Sequence, residues 1–355
     1  MDLLVIILLV ILLSNIKIST KGQFADYLDP KVTNQLKGIF TLVVIFHHLS
    51  QRTGEGILFN LFSYVGYLAV SVFFFISGYG LMIQYQRKRE KYLESFVKLR
   101  IPSILLPYIL TTIIYFFSFK LLGENVSLKT TFLSLINGNP LVSFSWYIIA
   151  ILFFYCLFYI AGKISKRIYY KFIIVIFLGI FLYISLCKIA GYDSWWYNSC
   201  FSFFIGIIWA NYNDLISIYF KKIYVLKIVF ISFIFLLLFM IPLLLPKYEL
   251  NQTILKNIII FSQFLSSSLF SILVMLICKK IRLNNYILLF LGGISLEIYL
   301  FQGLLIKVLR NNLWEIENDI IFSLLVIILT ILVAFFSNYI FRILIMTFQR
   351  VVSVK

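Results

Sequence analysis

The sequence predicts an all-α, polytopic membrane helical bundle, and three observations carry that reading. Hydrophobic residues make up 62% of the chain, charged residues only 13%, and the mean hydropathy is +1.01. Apolar runs long enough to cross a bilayer, about 18 residues or more, recur from end to end. Basic residues alternate between rich and poor loops, the pattern that orients helices in a membrane. The net charge of +17 is therefore read as a topology signal, with no nucleic acid among the partners. The longest polar stretches, about twenty residues, are too short for an independent soluble core, so residues 1–355 form a single membrane domain.

The first apolar run, Leu3 to Leu13, has no basic residue before it; Lys17, Lys21, Lys31 and Lys37 follow. It is expected to be an uncleaved span with its N-terminus outside, and residues 1–30 to be an extra N-terminal span with a cytoplasmic linker. Ten further spans are expected at 38–52, 57–83, 101–122, 143–161, 172–190, 195–211, 224–245, 256–278, 285–306 and 320–346, giving about eleven in all. Eight of the 31 Lys and Arg then fall in outer loops (Arg52, Lys120, Lys129, Lys188, Lys247, Lys256, Lys307 and Arg310), leaving 23 for the cytoplasm, so the expected topology is N-out and C-in. Trp146, Trp195, Trp196 and Trp314 lie near span ends and are expected to be interfacial anchors against membrane lipid. Cys156, Cys187, Cys200 and Cys278 show no metal or redox spacing and read as small core residues.

Chemistry is expected in the segment from Lys37 to Pro107, which holds both histidines, His47 and His48, and the densest basic cluster. Imidazoles inside an apolar span are expensive unless they serve a path or a reaction. His48 lies eleven residues beyond Lys37, or about 16 Å along a helix, which places it near mid-membrane. Neighbouring helix positions point about 100° apart, so one histidine faces any given site. A neutral imidazole suits a general base acting on a hydroxyl, whereas two adjacent histidines on a helix suit a metal poorly. Glu297 is the acidic residue well inside an expected span, about 18 Å along from Asn285, so it could reach His48 if their helices pack together. Arg100, at the mouth of the third of the ten spans, offers a guanidinium fork for phosphate oxygens. Ser77-Gly78 lacks the surroundings of a nucleophile elbow and reads as a helix-packing site.

Five segments, taken in order, resemble the acyltransferase-3 family of integral membrane O-acyltransferases. They are Lys37-Gly38 through His48, Phe73-Phe74-Phe75-Ile76-Ser77-Gly78-Tyr79, Arg100 through Pro107, Trp146 with Tyr155, and Gly293-Ile294-Ser295-Leu296-Glu297-Ile298-Tyr299-Leu300. The resemblance covers a core at about 31–346. It implies a multi-pass plasma-membrane enzyme with no permanently bound cofactor. Such an enzyme moves an acyl group, here expected to be acetyl, from cytosolic acetyl-CoA to a hydroxyl of a cell-surface or capsular polysaccharide or its lipid-linked precursor. Separate glycan-assembly proteins are implied as further partners. By the same resemblance His48 and Glu297 are the expected catalytic residues, Arg100 and Lys37 bind the donor, and His47, Tyr79, Trp146 and Gln302 support the site. The chain departs from the family pattern at several positions. Lys37 replaces an Arg, Ser71 a frequent acid, Ser103 a second Arg, Ile151-Leu152 an acidic pair, and Gln302 a frequent His. A transporter or exporter using the buried His and Glu as a proton relay is the alternative at this stage.

The charge pattern yields a direct test. In a background without native cysteines, Asn251→Cys should react with an impermeant thiol reagent in intact cells and Gln86→Cys should not; the reverse pattern would invert the orientation.

Overall fold

The computed structural model describes the chain except for residues 21, 55, 167, 248–250, 312, 314, 354 and 355. Lys21 and Trp314 therefore lie outside the described residues. The helices are α1 (Asp2–Leu13), α2 (Pro30–Ser50), α3 (Ile57–Asn60), α4 (Gly66–Lys88), α5 (Glu90–Leu99), α6 (Pro102–Leu121), α7 (Leu128–Ile136) and α8 (Trp146–Ser165). They continue with α9 (Tyr169–Ile189), α10 (Phe201–Asn211), α11 (Asn213–Lys221), α12 (Tyr224–Leu244), α13 (Gln252–Cys278), α14 (Tyr286–Gly293), α15 (Ser295–Leu309) and α16 (Asp319–Ser353). Two short strands, β1 (Ile16–Ile18) and β2 (Ile281–Leu283), pair antiparallel with Ile16 opposite Leu283. The chain is an all-α polytopic bundle.

Local chemistry sets the boundaries. Pro30 and Pro102 sit in the first turns of α2 and α6, where a missing N–H costs nothing. Asn251 and Asn285 cap α13 and α14 by accepting from the amides two and three residues on. Ser127 and Thr130 form a reciprocal capping box on α7. Arg89, with φ of 49°, turns the chain between α4 and α5. In α5 the side chains of Tyr92, Leu93 and Phe96 are buried while the basic residues face outward, as in a helix lying along an interface.

Seven helices are long and apolar enough to cross a membrane, or nine if each bent pair counts as one span. The expected span at 285–306 is bent, α14 meeting α15 at 75° about Ile294, whereas the bend of 85° between α10 and α11 falls just past the end of the expected span at 195–211. The expected span at 57–83 starts instead at Gly66, after the separate turns of residues 57–64. α1 has 12 residues, about 18 Å, against the roughly 20 residues a regular span needs. α2 has 21 residues but carries Lys31, Asn34, Gln35, Lys37 and both histidines, and it is not among the seven.

Contacts sort the loops to two ends of the bundle. At the end where α2 finishes, Asp2 accepts from the amides of Ile57 and Phe59, Arg310 donates to the Arg52 carbonyl, and Lys307 pairs with Glu124. At the opposite end Gln86 donates to Asn211, Gln349 to the Leu99 carbonyl, and Tyr27 to Asn213. α12 lies outermost with no buried residue, and its exposed Leu226, Val229, Phe230, Phe233, Leu236 and Leu237 suit contact with lipid. Cys187, Cys200 and Cys278 are buried as expected, whereas Cys156 faces outward from α8.

Two close helix approaches hold the centre. A Cβ at Gly78 would lie 2.1 Å from the Phe203 carbonyl oxygen, and one at Gly206 would lie 2.2 Å from that of Phe75, so α4 and α10 pack backbone to backbone. Gly38 and Gly292 do the same for α2 and α14, against Leu288 and Asn34. Gly78→Ala and Gly206→Ala should each destabilise the bundle by about 1–3 kcal/mol. Both should lower the thermal midpoint in detergent, whereas Gly80→Ala, with nothing within 4 Å of its new methyl, should leave it unchanged.

Candidate active site

The site is organised by one face of α2. Lys37, Thr41, Val44 and His48 recur at intervals of three and four residues, which stacks them along a single stripe. Two cavities lie along this stripe. The smaller, about 260 Å³, is lined by Lys37 and Thr41 together with Ser77, Ser103, Tyr155 and Gln302. The larger, about 750 Å³, is lined by His47, His48, Gln51, Tyr67, Trp146, Trp195, Asn198 and Gln263. Val44, Val70 and Tyr299 belong to both walls, so the cavities adjoin at this constriction.

His48 is buried and stacks on Phe144, with ring centroids 3.6 Å apart and planes inclined by 13°. Phe144 adopts a φ of 66°, rare for a bulky residue. It is held there by the Tyr299 hydroxyl, which donates to its carbonyl. The Nδ1 of His48 is buried without a hydrogen-bond partner. Thr41 Oγ1, Gln302 Oε1 and Asn198 Oδ1 are in the same condition, and all four residues line the cavities. Buried polar atoms are almost always satisfied in folded proteins, so such a cluster marks a place where a ligand or water completes the bonding.

His47 behaves differently. Its Nδ1 lies 2.9 Å from the Phe62 carbonyl and must therefore carry the proton it donates. Its Nε2 then accepts from the Gln51 amide at 3.3 Å. Both ring nitrogens are used, the imidazole is neutral, and the ring packs against Gly66.

Glu297 has its hydrogen-bond partner on α16. Its Oε1 accepts from Asn338 of α16 at 2.9 Å, and it lines neither cavity. Because α14 is turned from α15 by 75°, residue count from Asn285 does not measure the depth of Glu297. Tyr299 and Gly303, later on α15, are the residues that reach Phe144 and hence the level of His48.

Of the remaining expected site residues, Arg100 is exposed at the C-terminal end of α5, its guanidinium 5.9 Å above the Tyr92 ring. It is within electrostatic reach of Lys37, which lines the smaller cavity, but is not itself in that cavity's wall. Gln302 is fully buried and donates to the Tyr299 carbonyl at 3.3 Å. Tyr79 stacks on Phe75 and lines neither cavity. Trp146 lines the larger cavity beside Trp196, which is itself buried. Ser103, Ile151 and Gln302, three of the positions that depart from the family pattern, all line the smaller cavity.

Sequence reasoning missed Phe144, Tyr299, Asn198 and Gln263 as site residues. Gln263 carried a readable signal, a polar side chain within the apolar run of α13. The role of Phe144 had none, because it depends on a backbone conformation fixed by Tyr299.

Comparison with known proteins completes the description. No curated protein and no solved structure matches the chain. A family model described as an acyltransferase domain matches residues 32–339, which takes in α2, both cavities and Glu297. The chain belongs to this acyltransferase-3 family.

Proposed function

We propose that this membrane acyltransferase is an O-acetyltransferase of the plasma membrane, moving acetyl from cytosolic acetyl-CoA to a hydroxyl of a cell-surface polysaccharide or its lipid-linked precursor. The observation that carries the reading is the stripe on α2, which leads from Lys37 in one cavity, past the constriction at Val44, to His48 in the other. Charge placement makes the Lys37 end cytoplasmic. Lys37 and Arg100 would hold the donor's phosphates there, Arg100 by a bidentate fork. The eleven residues from Lys37 to His48 correspond to about 16 Å, a gap suited to an extended donor arm with its thioester at the far end.

Neutral His48 would take the proton of the acceptor hydroxyl as its oxygen attacks the thioester carbonyl. The carbon–sulfur bond then breaks, and the proton leaves with the CoA thiolate as free thiol. The acceptor would come from the outer side, into the larger cavity. Glu297 would position α15 against α16 through Asn338.

His48→Ala and His48→Gln should each lower acetyl transfer by roughly a hundred- to ten-thousand-fold, the usual contribution of a general base. His47→Gln should keep most activity. Glu297→Gln should stay within about tenfold of the parent, because an amide oxygen can still accept from Asn338. Transfer is measured with equal amounts of membrane-inserted protein. Full activity of His48→Gln would remove His48 from the reaction, and loss in Glu297→Gln matching that of His48→Ala would restore the carboxylate to it.

The donor site is tested by acetyl-CoA binding to purified protein. Arg100→Lys should weaken binding by losing the fork and Arg100→Ala should weaken it further, with Lys37→Ala acting in the same direction. Unchanged binding in all three would leave these cations with only a topological role.

A further inference from the structure

We infer that the acceptor segment held in the larger cavity is an uncharged saccharide rather than an acidic one; this rests on the acyltransferase reading above. The chain carries 31 basic residues, yet no Lys, Arg, Asp or Glu is among the described residues that line this cavity. Of the cations at the same end of the bundle, Lys307 pairs with Glu124 at 2.7 Å and Arg310 with Asp319 at 2.5 Å, while Arg52, within electrostatic reach of His48, stands outside the cavity wall. The smaller cavity, by contrast, has Lys37 in its wall.

The imidazoles offer no substitute charge. His47 is fixed neutral by the Phe62 carbonyl and the Gln51 amide, and His48 must be neutral to accept a proton. A carboxylate or phosphate on the acceptor would thus enter a cavity whose described wall holds no ion-pair partner for it, which is unfavourable.

What the wall does offer is aromatic faces and amides: Tyr67, Trp146 and Trp195 with Asn139, Asn198 and Gln263. Amides both donate and accept, as sugar hydroxyls do. Tyr and Trp present an apolar face with a polar edge, which suits the mixed surface of a pyranose ring. Asn198 is 3% exposed, donates to Gln263 Oε1 at 3.2 Å and keeps its Oδ1 buried without a partner, an acceptor waiting for a hydroxyl donor. The volume, about 750 Å³, lies within the range of about 300–1,000 Å³ usual for binding sites.

The test locates the acyl groups by mass spectrometry of surface glycan and its lipid-linked precursors, from cells with and without the gene. CoA release from acetyl-CoA by the purified protein is measured in parallel. Acyl groups on uncharged sugar residues are expected. Trp195→Ala should lower glycan acylation by about tenfold, in line with loss of a stacking ring. Trp195→Phe should recover most of it, and acetyl-CoA affinity should be unchanged in both. Asn198→Asp, which adds the negative charge the cavity lacks, should lower acylation further. Gene-dependent acyl groups on a uronic acid or a phosphorylated sugar would overturn the inference. So would CoA release with no gene-dependent change in the glycan, which would leave the acyltransferase reading standing. Neither CoA release nor acylation would remove that reading and this inference together.

Discussion

A helix too polar for lipid has to be enclosed by protein, and α2 imposes that condition on the rest of the bundle. It carries two lysines, an asparagine, a glutamine and two histidines within 21 residues. Its neighbours α4, α14 and α15 wrap it, and Gly38 and Gly292 bring the α2 and α14 backbones into contact with no side chain between them. Gln35 donates to the Asn285 carbonyl at 3.2 Å, so part of the polarity is satisfied across the same contact. Thr41 and His48, whose Oγ1 and Nδ1 have no partner, face the cavities, whereas Gln35 Oε1 is unpartnered away from them. Enclosure and function are thus linked. Three of the residues that keep α2 out of lipid, Lys37, His47 and His48, also line the cavities along it.

Broken helices make room for that path. Continuous packing of straight helices leaves few voids, whereas the bend at Ile294 turns α14 across α2 and sends α15 away at 75°. Ser295, Leu296, Tyr299 and Gln302 follow the bend and form one wall of the smaller cavity. Irregular backbone at membrane depth is tolerated where it is buried in protein or lines a cavity, which is the situation here. Tyr299 has a double role: it narrows the junction between the cavities and pins Phe144, on which His48 stacks.

The two histidines show how adjacent residues acquire different roles. His47 spends both ring nitrogens on fixed partners and ties α2 to the turn at Phe62. His48 spends its ring face on Phe144 and has an unpartnered Nδ1. One imidazole is satisfied and structural, while the other retains capacity to bind and exchange a proton. The same division separates Glu297, bound to Asn338, from Gln302, whose Oε1 has no partner.

The sequence by itself determined the all-α membrane class, most helix boundaries and the α2 stripe. These follow from local rules: apolar run length, proline and asparagine caps, and the spacing of Lys37, Thr41, Val44 and His48 around one helix. Family membership was legible too, from motifs carried in order along the chain. The bend at Ile294 was not, because apolar composition runs through it while the backbone direction changes; the turn beside Asn211 falls at a polar break, Asn211-Tyr212-Asn213-Asp214. Counting residues from Asn285 therefore does not measure the depth of Glu297, whose hydrogen-bond partner is Asn338 of α16. Tertiary structure alone decided which polar side chains face a shared space: Asn198 and Gln263 come from distant segments, and Phe144 takes its strained position only because Tyr299 holds it. Residue spacing reports the face of one helix; the meeting of faces from several helices depends on how they pack.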